Sequence, residues 1–282
     1  MKRRARSVSI TILADNLIGG GSGVLAEHGL SLLGEADGHQ FLLDTGQSGI
    51  FLGNAARLGL DLAPARKVVL SHAHYDHTGA LPLLLAAFGP REIIAHPEIL
   101  GEKFARRSPR RSESIGLRLG ADDLRRLGAV LRLAPEPQEI APGVITTGPI
   151  ARTNRFEHIP PVFQVKDGGR FRKDRFEDEQ AIIVQSRKGL VVLVGCAHTG
   201  VINTIHHAMK LTGDDRVHAV IGGTHLGPAS ARRLSRTIEE LRRLDVQRVV
   251  ASHCTGFWAS AKLAQALGKR FDPGGSGFHI EL

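Results

Sequence analysis

The sequence predicts an α/β protein built in layers, and two observations favour this class. Short apolar runs typical of buried strands alternate along the chain with helical patterns of apolar residues. Four strand-like runs end in a turn that carries a histidine, namely KVVLSH, GLVVLVGCAH, VHAVIGGTHL and QRVVASHCTG. Because ligands commonly bind where strand ends meet along one rim of a sheet, we expect these histidines to share a site there.

Strands and helices follow one another in a similar rhythm in both halves of the chain. In the first half, the apolar patterns predict strands in SVSITILA, LSLLGE, HQFLLDTG, KVVLSH and REIIAH, and helices in IFLGNAARLGL and ALPLLLAAFG. In the second half, they predict strands in QAIIVQS, GLVVLVGCAH, VHAVIGGTHL and QRVVASHCTG, and helices in VINTIHHAMKLTG and SARRLSRTIEELRRLD. The turns ADGH and RKG indicate two hairpins.

The length favours one domain over residues 1–282, because single α/β domains commonly reach this size. Between about residues 101 and 178 the periodicity weakens, and basic residues are mixed with Ser, Gly and Pro. We interpret residues 101–178 as a basic, loop-rich insertion or cap, partly ordered, rather than as a second domain.

Composition excludes several classes of protein. The chain is 42% hydrophobic and 23% charged, which is typical of a globular domain. No apolar run approaches the ~20 residues that span a bilayer, and the start MKRRARSVSITIL lacks the apolar region and cleavage site of a signal peptide. With two cysteines, Cys196 and Cys254, a disulfide scaffold is disfavoured and a cytoplasmic location is expected.

The net charge of +9 indicates affinity for anions, either phosphorylated metabolites or nucleic acid. The alternative is that the positive charge reflects an Arg-rich proteome, since the arginines are spread over the whole chain, and does not indicate an anionic partner. We rank nucleic acid last because the sequence has no long basic helix or RNA-binding motif. A small, phosphorylated substrate is the expected partner, no membrane is expected, and the sequence leaves a homo-oligomer open.

The run SHAHYDHTGAL carries the densest set of metal-ligating residues, with His72, His74, Asp76 and His77 within six positions. Imidazole and carboxylate ligands suit zinc, manganese or iron. In a loop that leaves a strand, side chains two residues apart can converge on one ion, while Asp76 and His77 point to a neighbouring position. Two ions in one cleft would suit an anionic leaving group. The alternative is a chance cluster of surface histidines.

This run resembles the signature of the metallo-β-lactamase fold superfamily, and LLDTG at residues 42–46 resembles its first motif. With GCAHTG and SHCTG in the expected order, the resemblance covers most of the chain. It implies a four-layer αββα sandwich, in which two mixed β-sheets are flanked by helices and the metal cleft lies at one edge. It also implies that Asp44 supports the metal loop.

Six protein ligands are usual in that superfamily, so the resemblance implies that His198 and His253 complete the set. The implied division is His72, His74 and His198 at one ion, and Asp76, His77 and His253 at the other. Either of the last two histidines could instead be hydrogen-bonded without binding metal. His225 in IGGTHL is a competitor, as a ligand or as a substrate-facing acid or phosphate donor, and we predict catalytic roles for Asp76 and His225.

The sequence departs from the superfamily pattern at one position that affects the binding of a second ion. Many superfamily members carry a bridging aspartate after a strand, as Gly-Asp, where this sequence has Gly195-Cys196. A thiolate could bind metal, although a buried cysteine is more often an inert small hydrophobe. We therefore expect one or two divalent ions as cofactor, with zinc favoured and manganese, iron and magnesium as alternatives.

The runs LAEHGLSLLGE, DEQAIIV, VGCAHTGVINTI and IGGTHL are similar to the subgroup named for 7,8-dihydropterin-6-methyl-4-(β-D-ribofuranosyl)aminobenzene 5′-phosphate synthase. This similarity implies a transferase of methanopterin-type cofactor biosynthesis that condenses a dihydropterin pyrophosphate with an aminobenzene ribofuranosyl phosphate. The alternative is a metal-dependent hydrolase of phosphoester, lactone or thioester bonds, and a nuclease ranks last.

Two further groups could contact such a substrate. Arg forks match phosphate oxygens, so we predict substrate contacts for Arg106, Arg107, Arg110 and Arg111, with a solvated basic loop as the alternative. Tyr75, Trp258 and the 11 phenylalanines could line a pterin slot. Glu27 and His28 could border the cleft.

Overall fold

The structure is a computed structural model and describes residues 4–282, so the first three residues of the basic start lie outside the described part. The strands are β1 Val8–Ala14, β2 Ser31–Ala36, β3 His39–Leu43, β4 Lys67–Val69, β5 Arg91–Ala95, β6 Lys103–Ser108, β7 Arg111–Ser114, β8 Ala129–Leu133, β9 Glu139–Ala141, β10 Val144–Thr146, β11 Phe163–Asp167, β12 Arg170–Lys173, β13 Ile182–Ser186, β14 Gly189–Val194, β15 Val217–Gly223, β16 Arg248–Ser252, β17 Phe271–Pro273 and β18 His279–Glu281.

The helices are α1 Ile50–Arg57, α2 Tyr75–Thr78, α3 Leu81–Phe88, α4 Ala121–Arg126, α5 Val201–Thr212, α6 Ala231–Arg243 and α7 Phe257–Leu267. Short 3-10 turns lie at Pro97–Leu100, His253–Thr255 and Gly268–Arg270. Within residues 4–282, no helix combines the length and the apolar character that crossing a membrane would require.

Two seven-stranded mixed sheets form the body of the molecule. The first has the order β18-β1-β2-β3-β4-β5-β8, antiparallel from β18 to β3 and parallel from β3 to β8. The second has the order β17-β16-β15-β14-β13-β10-β9, parallel from β17 to β14 and antiparallel beyond. Parallel pairing brings the carboxyl ends of neighbouring strands to one edge of each sheet.

The layers are held together by three clusters of buried apolar side chains. One cluster fills the space between the sheets, and the other two lie between each sheet and its helices. Strand β14 is apolar throughout because both of its faces are buried. Val191 and Leu193 face the other sheet, while Leu190, Val192 and Val194 face the helices. The resulting order of layers is helix, sheet, sheet, helix.

Residues 101–178 are more regular than the sequence patterns indicate. Strands β6, β7, β11 and β12 form a separate four-stranded antiparallel sheet, which we call the cap sheet. Strands β8, β9 and β10 belong to the two main sheets, so the region outside the sandwich is narrower than 101–178. The cap strands escape sequence analysis because β12 is wholly exposed and β6 ends in polar, exposed residues, which removes the apolar alternation.

Every strand and helix that the sequence predicts is present. The sequence analysis misses α7, β17 and β18 at the end of the chain. In α7 only Ala259 and Leu263 are buried, so its apolar stripe is narrow, and both β17 and β18 have three residues. The formation of such short strands depends more on hydrogen bonding to the neighbouring strand of the sheet than on a pattern of apolar residues in their own sequence.

The close approach of β14 and β15 depends on Gly222, which has φ +126° and whose added Cβ would lie 1.9 Å from the Val194 carbonyl oxygen. We expect Gly222→Ala to lower the free energy of unfolding by at least ~3 kcal/mol, because backbone strain and a clash combine. Chemical denaturation measures this loss. Gly59→Ala is the matched control, since Gly59 has φ +69° and open space around it, and should cost about 1–2 kcal/mol. Equal losses would contradict the steric argument.

Candidate metal centre

The loops after β3, β4, β14, β15 and β16 supply most of the site. Four non-glycine residues in these loops have positive φ angles: Asp44 at 60°, Ala197 at 52°, His225 at 48° and His253 at 52°. Such conformations cost free energy and persist where surrounding contacts enforce them, often at functional sites. The backbone is therefore bent at the points where ligand side chains turn towards one another.

Asp44 is completely buried and supports the metal loop from below. Its Oδ1 accepts a hydrogen bond from the Ser71 amide at 2.7 Å, and its Oδ2 accepts from Ser71 Oγ at 2.6 Å and from His77 Nδ1 at 2.7 Å. Ser71 Oγ in turn accepts from His72 Nδ1 at 2.9 Å. These contacts hold the Nδ1 proton of both histidines and direct each Nε2 to the metal positions, where His72 Nε2 has no hydrogen-bond partner and His77 Nε2 contacts Cys196 Sγ at 3.2 Å.

His72, His74 and His198 form the first ligand group, with ligand nitrogens that all lie within 4.8 Å of one another. The Nε2 atoms of His72 and His74 and both ring nitrogens of His198 are buried without a hydrogen-bond partner. Burial lowers the pKa of His72 and His198 and lowers that of His74 to about 4. Neutral imidazoles with unpaired buried nitrogens fit a divalent metal ion.

Asp76, His77 and His253 lie around a second position. Asp76 Oδ2 is 3.3 Å from His253 Nε2 and 3.8 Å from His77 Nε2. Burial raises the pKa of the Asp76 carboxyl, but His77 and His253 outweigh it and keep that pKa below its ordinary value. Burial lowers the pKa of His253, and the hydrogen bond to Asp76 reverses this and raises it to about 9. The ligand atoms of Asp76 and His253 lie within 4.8 Å of each other and of His28, whereas His77 is grouped in this way with His72 and Cys196. The division that the resemblance implies, with His77 beside Asp76 and His253, therefore stays a prediction.

His28 joins this second position, with Nε2 3.5 Å from Asp76 Oδ2. The adjacent residues fix its backbone. Glu27 accepts hydrogen bonds from the amides of Gln47 and Ser48, at 2.9 and 3.0 Å, and the Leu30 amide donates to the Asp76 carbonyl at 3.1 Å. The half-exposed His28 ring is therefore held at the cleft border that the sequence indicates.

The segment Phe176–Gln180 supports the first ligand group from the side of the cap sheet. Phe176 stacks on His198 with ring centroids 4.1 Å apart, and Asp178 Oδ2 accepts from the Ala73 amide at 2.9 Å. Glu179 accepts from the amides of His198 and Thr199 at 2.6 and 2.7 Å, and burial raises its pKa to about 7. Sequence analysis does not assign these roles. The available signal is the acidic pair placed directly before the apolar strand β13.

Two residues connect the cap sheet to the ligand loops, Phe163 by direct ring contacts and Lys103 through Asp178. The Phe163 ring in β11 lies 4.9 Å from the His198 ring and 5.5 Å from the His74 ring, measured between centroids. Lys103 in β6 binds Asp178 at 2.6 Å, so the cap is also linked to the amide of Ala73. Water access to the first ligand group is restricted on this side.

The four candidate arginines lie on the β6–β7 hairpin. Arg106, Arg107, Arg110 and Arg111 are all exposed there, and Arg107 pairs with Glu113 at 2.8 Å. Trp258 is 81% exposed on the first turn of α7, where it packs against Phe257. Within residues 4–282, the contacts of Arg107 and Trp258 described above are to Glu113 and Phe257 and not to the ligand histidines, so the substrate roles of both groups stay predictions.

A cavity of about 430 Å³ adjoins the second position. Tyr75 and Thr78 in α2 line it, on the same helical turn that carries Asp76 and His77, and Gln47 and Arg118 close other sides. The structure therefore places an aromatic ring, an amide and a guanidinium around one cavity, and the Tyr75 ring centroid lies 6.1 Å from that of His28.

A family model described as the metallo-beta-lactamase superfamily matches residues 26–253. The chain therefore belongs to the metallo-β-lactamase superfamily, whose fold is the four-layer α/β arrangement that the sequence predicts, and that prediction is confirmed.

More specific relatives follow from comparison of whole chains. The chain is 30% identical over 275 residues to the 7,8-dihydropterin-6-methyl-4-(β-D-ribofuranosyl)-aminobenzene-5′-phosphate synthase of Methanocaldococcus jannaschii, covering 94% of each chain. A solved structure described as Tm1679, a metal-dependent hydrolase of the β-lactamase superfamily, superposes with a TM-score of 0.84 at 29% identity, covering 98% of this chain and 99% of the other. Zn²⁺-bound PqqB from Methylobacterium extorquens has a TM-score of 0.58 at 15% identity, covering 97% and 100%, and shows the fold alone.

Asp44→Asn tests the support beneath the ligands. Because one carboxylate oxygen orients both His72 and His77, we expect metal affinity at both positions to fall about 10–100-fold. Ser71→Ala removes the contact to His72 and one hydrogen bond to Asp44 but keeps the contact between Asp44 and His77, so its larger loss should be at the first position. Metal titration with a competing chelator measures both variants, and unchanged affinity in Asp44→Asn would refute the assigned role.

Removing a ligand tests the first position directly. His72→Ala leaves His74 and His198 without their third partner, so we expect bound metal to fall by one equivalent per chain while the fold is retained. Metal analysis by mass spectrometry and circular dichroism measure the two quantities. His39→Ala, at an exposed position at the start of β3, is the control and should keep the full metal content.

Proposed function

We propose that this chain is a transferase that joins a dihydropterin pyrophosphate to an aminobenzene ribofuranosyl phosphate. The observation that carries the proposal is the cavity lined by Tyr75, Gln47 and Arg118, which adjoins the second position because the Tyr75 ring centroid lies 6.1 Å from that of His28. The full-length similarity to the M. jannaschii synthase supports the choice of substrates. We further propose zinc as the metal, with manganese, iron and magnesium as alternatives.

In this reaction the aromatic amine nitrogen attacks the methylene carbon attached to the pterin. A carbon–nitrogen bond forms, the carbon–oxygen bond to pyrophosphate breaks, and the proton of the amine passes to a base. Divalent ions held by the histidine cluster would stabilise the departing pyrophosphate or, in a hydrolytic reaction, lower the pKa of a water molecule.

The residues of the chain supply binding and orientation. The Tyr75 ring offers a stacking surface for a flat heterocycle, and the Gln47 amide can pair with its ring nitrogens. The Arg118 guanidinium matches phosphate oxygens in a fork. Asp76 Oδ2 lies 3.3 Å from His253 Nε2 and 3.5 Å from His28 Nε2, so its carboxylate orients the imidazoles that border the cleft.

The second candidate is a metal-dependent hydrolase of phosphoester, lactone or thioester bonds. The similarity over 98% of the chain to a structure described as a metal-dependent hydrolase favours it. Both reactions would use the same ligand set, so the geometry of the ligands does not separate them. The cytoplasmic location and the oligomeric state stay predictions.

Incubation with dihydropterin pyrophosphate, with and without the aminobenzene ribofuranosyl phosphate, separates the two candidates. A transferase releases pyrophosphate only when the amine is present, with an equal amount of the condensed product. We measure both products by chromatography and mass spectrometry, with His72→Ala as the inactive control. Pyrophosphate release without the amine, or turnover only of an ester, lactone or thioester panel, would replace the transferase by the hydrolase.

Arg118→Gln tests phosphate binding in the cavity. Loss of a charge-assisted hydrogen bond costs about 1.5–3 kcal/mol, so we expect KM for the phosphorylated substrate to rise roughly 10–100-fold with a smaller change in kcat. Steady-state kinetics on the purified enzyme measure this. Arg170→Gln in the exposed β11–β12 turn is the matched control, and equal effects of the two variants would remove Arg118 from the binding site.

A further inference from the structure

We propose that Cys196, His225 and Cys254 form a separate position for a thiophilic divalent ion next to the histidine cluster. The three residues follow three successive parallel strands, β14, β15 and β16. This position goes beyond the proposed transferase reaction, which assigns no step to either cysteine, and it uses His225 as a ligand, the alternative to the catalytic role that the sequence predicts.

The ligand atoms of the three residues all lie within 4.8 Å of one another. A tetrahedral zinc ion, with metal–sulfur bonds of about 2.3 Å and metal–nitrogen bonds of about 2.0 Å, needs ligand atoms roughly 3.5–3.8 Å apart. The observed spacing therefore requires only a small contraction around the ion. Two sulfur ligands and one imidazole also form a soft set, which selects zinc or cadmium over magnesium or calcium.

The hydrogen bonds of these atoms are few, and an ion would replace only part of them. The His225 amide donates to Cys254 Sγ at 3.2 Å, a contact that stabilises a sulfur carrying negative charge, and the Cys254 thiol donates to the Cys196 carbonyl at 3.6 Å, a contact that is lost when the thiol binds metal as a thiolate. The Nδ1 atom of His225 is buried and has no hydrogen-bond partner, although the rest of the ring is partly exposed. Cys196 is 3% exposed, and both cysteines are free thiols.

The backbone around the three residues leaves room for the second sulfur. A Cβ atom added to Gly223 would lie 2.8 Å from Cys254 Sγ and 2.4 Å from the Gly195 carbonyl oxygen. Any larger residue would occupy the space beside the thiol. The glycine at this strand end therefore permits Cys254 to approach Cys196 and His225.

Cys196 also lies 3.2 Å from His77 Nε2, so its sulfur borders the second position of the histidine cluster. A simpler arrangement would use Cys196 alone as a ligand there, with Cys254 only packing against it. The two arrangements differ in whether Cys254 and His225 bind the ion.

Cobalt titration of the reduced, metal-free full-length protein distinguishes them. Thiolate binding to Co²⁺ produces a near-ultraviolet charge-transfer band whose intensity grows with the number of sulfur ligands. We expect this band in the wild type, about half its intensity in Cys196→Ser and in Cys254→Ser, and weaker cobalt affinity in His225→Gln. His72→Ala should lose cobalt at the first position and keep the band, and circular dichroism checks that each variant is folded.

Two results would overturn the proposal. One is a wild type saturated with cobalt that shows no charge-transfer band. The other is a band that Cys196→Ser abolishes and Cys254→Ser leaves unchanged, since that places one sulfur at the second position only. Neither result depends on catalytic turnover. The proposed cysteine site and the proposed transferase reaction can therefore be refuted independently of each other.

Discussion

The structure of the metal centre depends on one buried carboxylate, Asp44. Its Oδ2 accepts from His77 directly and is linked to His72 through Ser71, so one oxygen sets the protonated nitrogen of a ligand in each of the two positions. A buried carboxylate is stable only where every lone pair finds a donor, and the metal loop supplies those donors. The fold and the ligand geometry are therefore coupled through the same contacts.

Local patterns predicted the strands and helices that form most of the two main sheets, and the resemblance carried by SHAHYDHTGAL implied their arrangement as a sandwich. The structure brings together His72, His74 and His198, three of the candidate ligands. The close spacing of His72 to His77 directly after an apolar run indicates a ligand loop at a strand end. A strand such as β14 is recognisable because its residues are apolar throughout, as burial on both faces requires. The site residues Glu179 and Asp178 were not predictable in this way. Their roles depend on contacts with residues that lie far away in the sequence, which no local periodicity records.

The cap sheet escaped prediction for a different physical reason. Its strands are stabilised by pairing with one another and by a few contacts such as those of Phe163 and Lys103, and not by a continuous apolar face. The predicted phosphate contacts of Arg106 and Arg107 fall on this exposed sheet, whereas Arg118, outside the predicted set, lines the cavity beside α2. Net charge in a sequence indicates an affinity for anions but not which arginine lies beside a cavity, so the contacts of both groups of arginines with substrate stay predictions.

Asp178 connects the cap sheet to the metal loop, because it accepts hydrogen bonds both from Lys103 in the cap and from the amide of Ala73. Ala73 lies between two ligand histidines, so a cap that shifts to admit a differently shaped molecule also pulls on the spacing of His72 and His74. The position of the cap sheet and the geometry of the metal loop are thus mechanically coupled in this chain. A substitution that repositions the cap would therefore act on the metal loop as well.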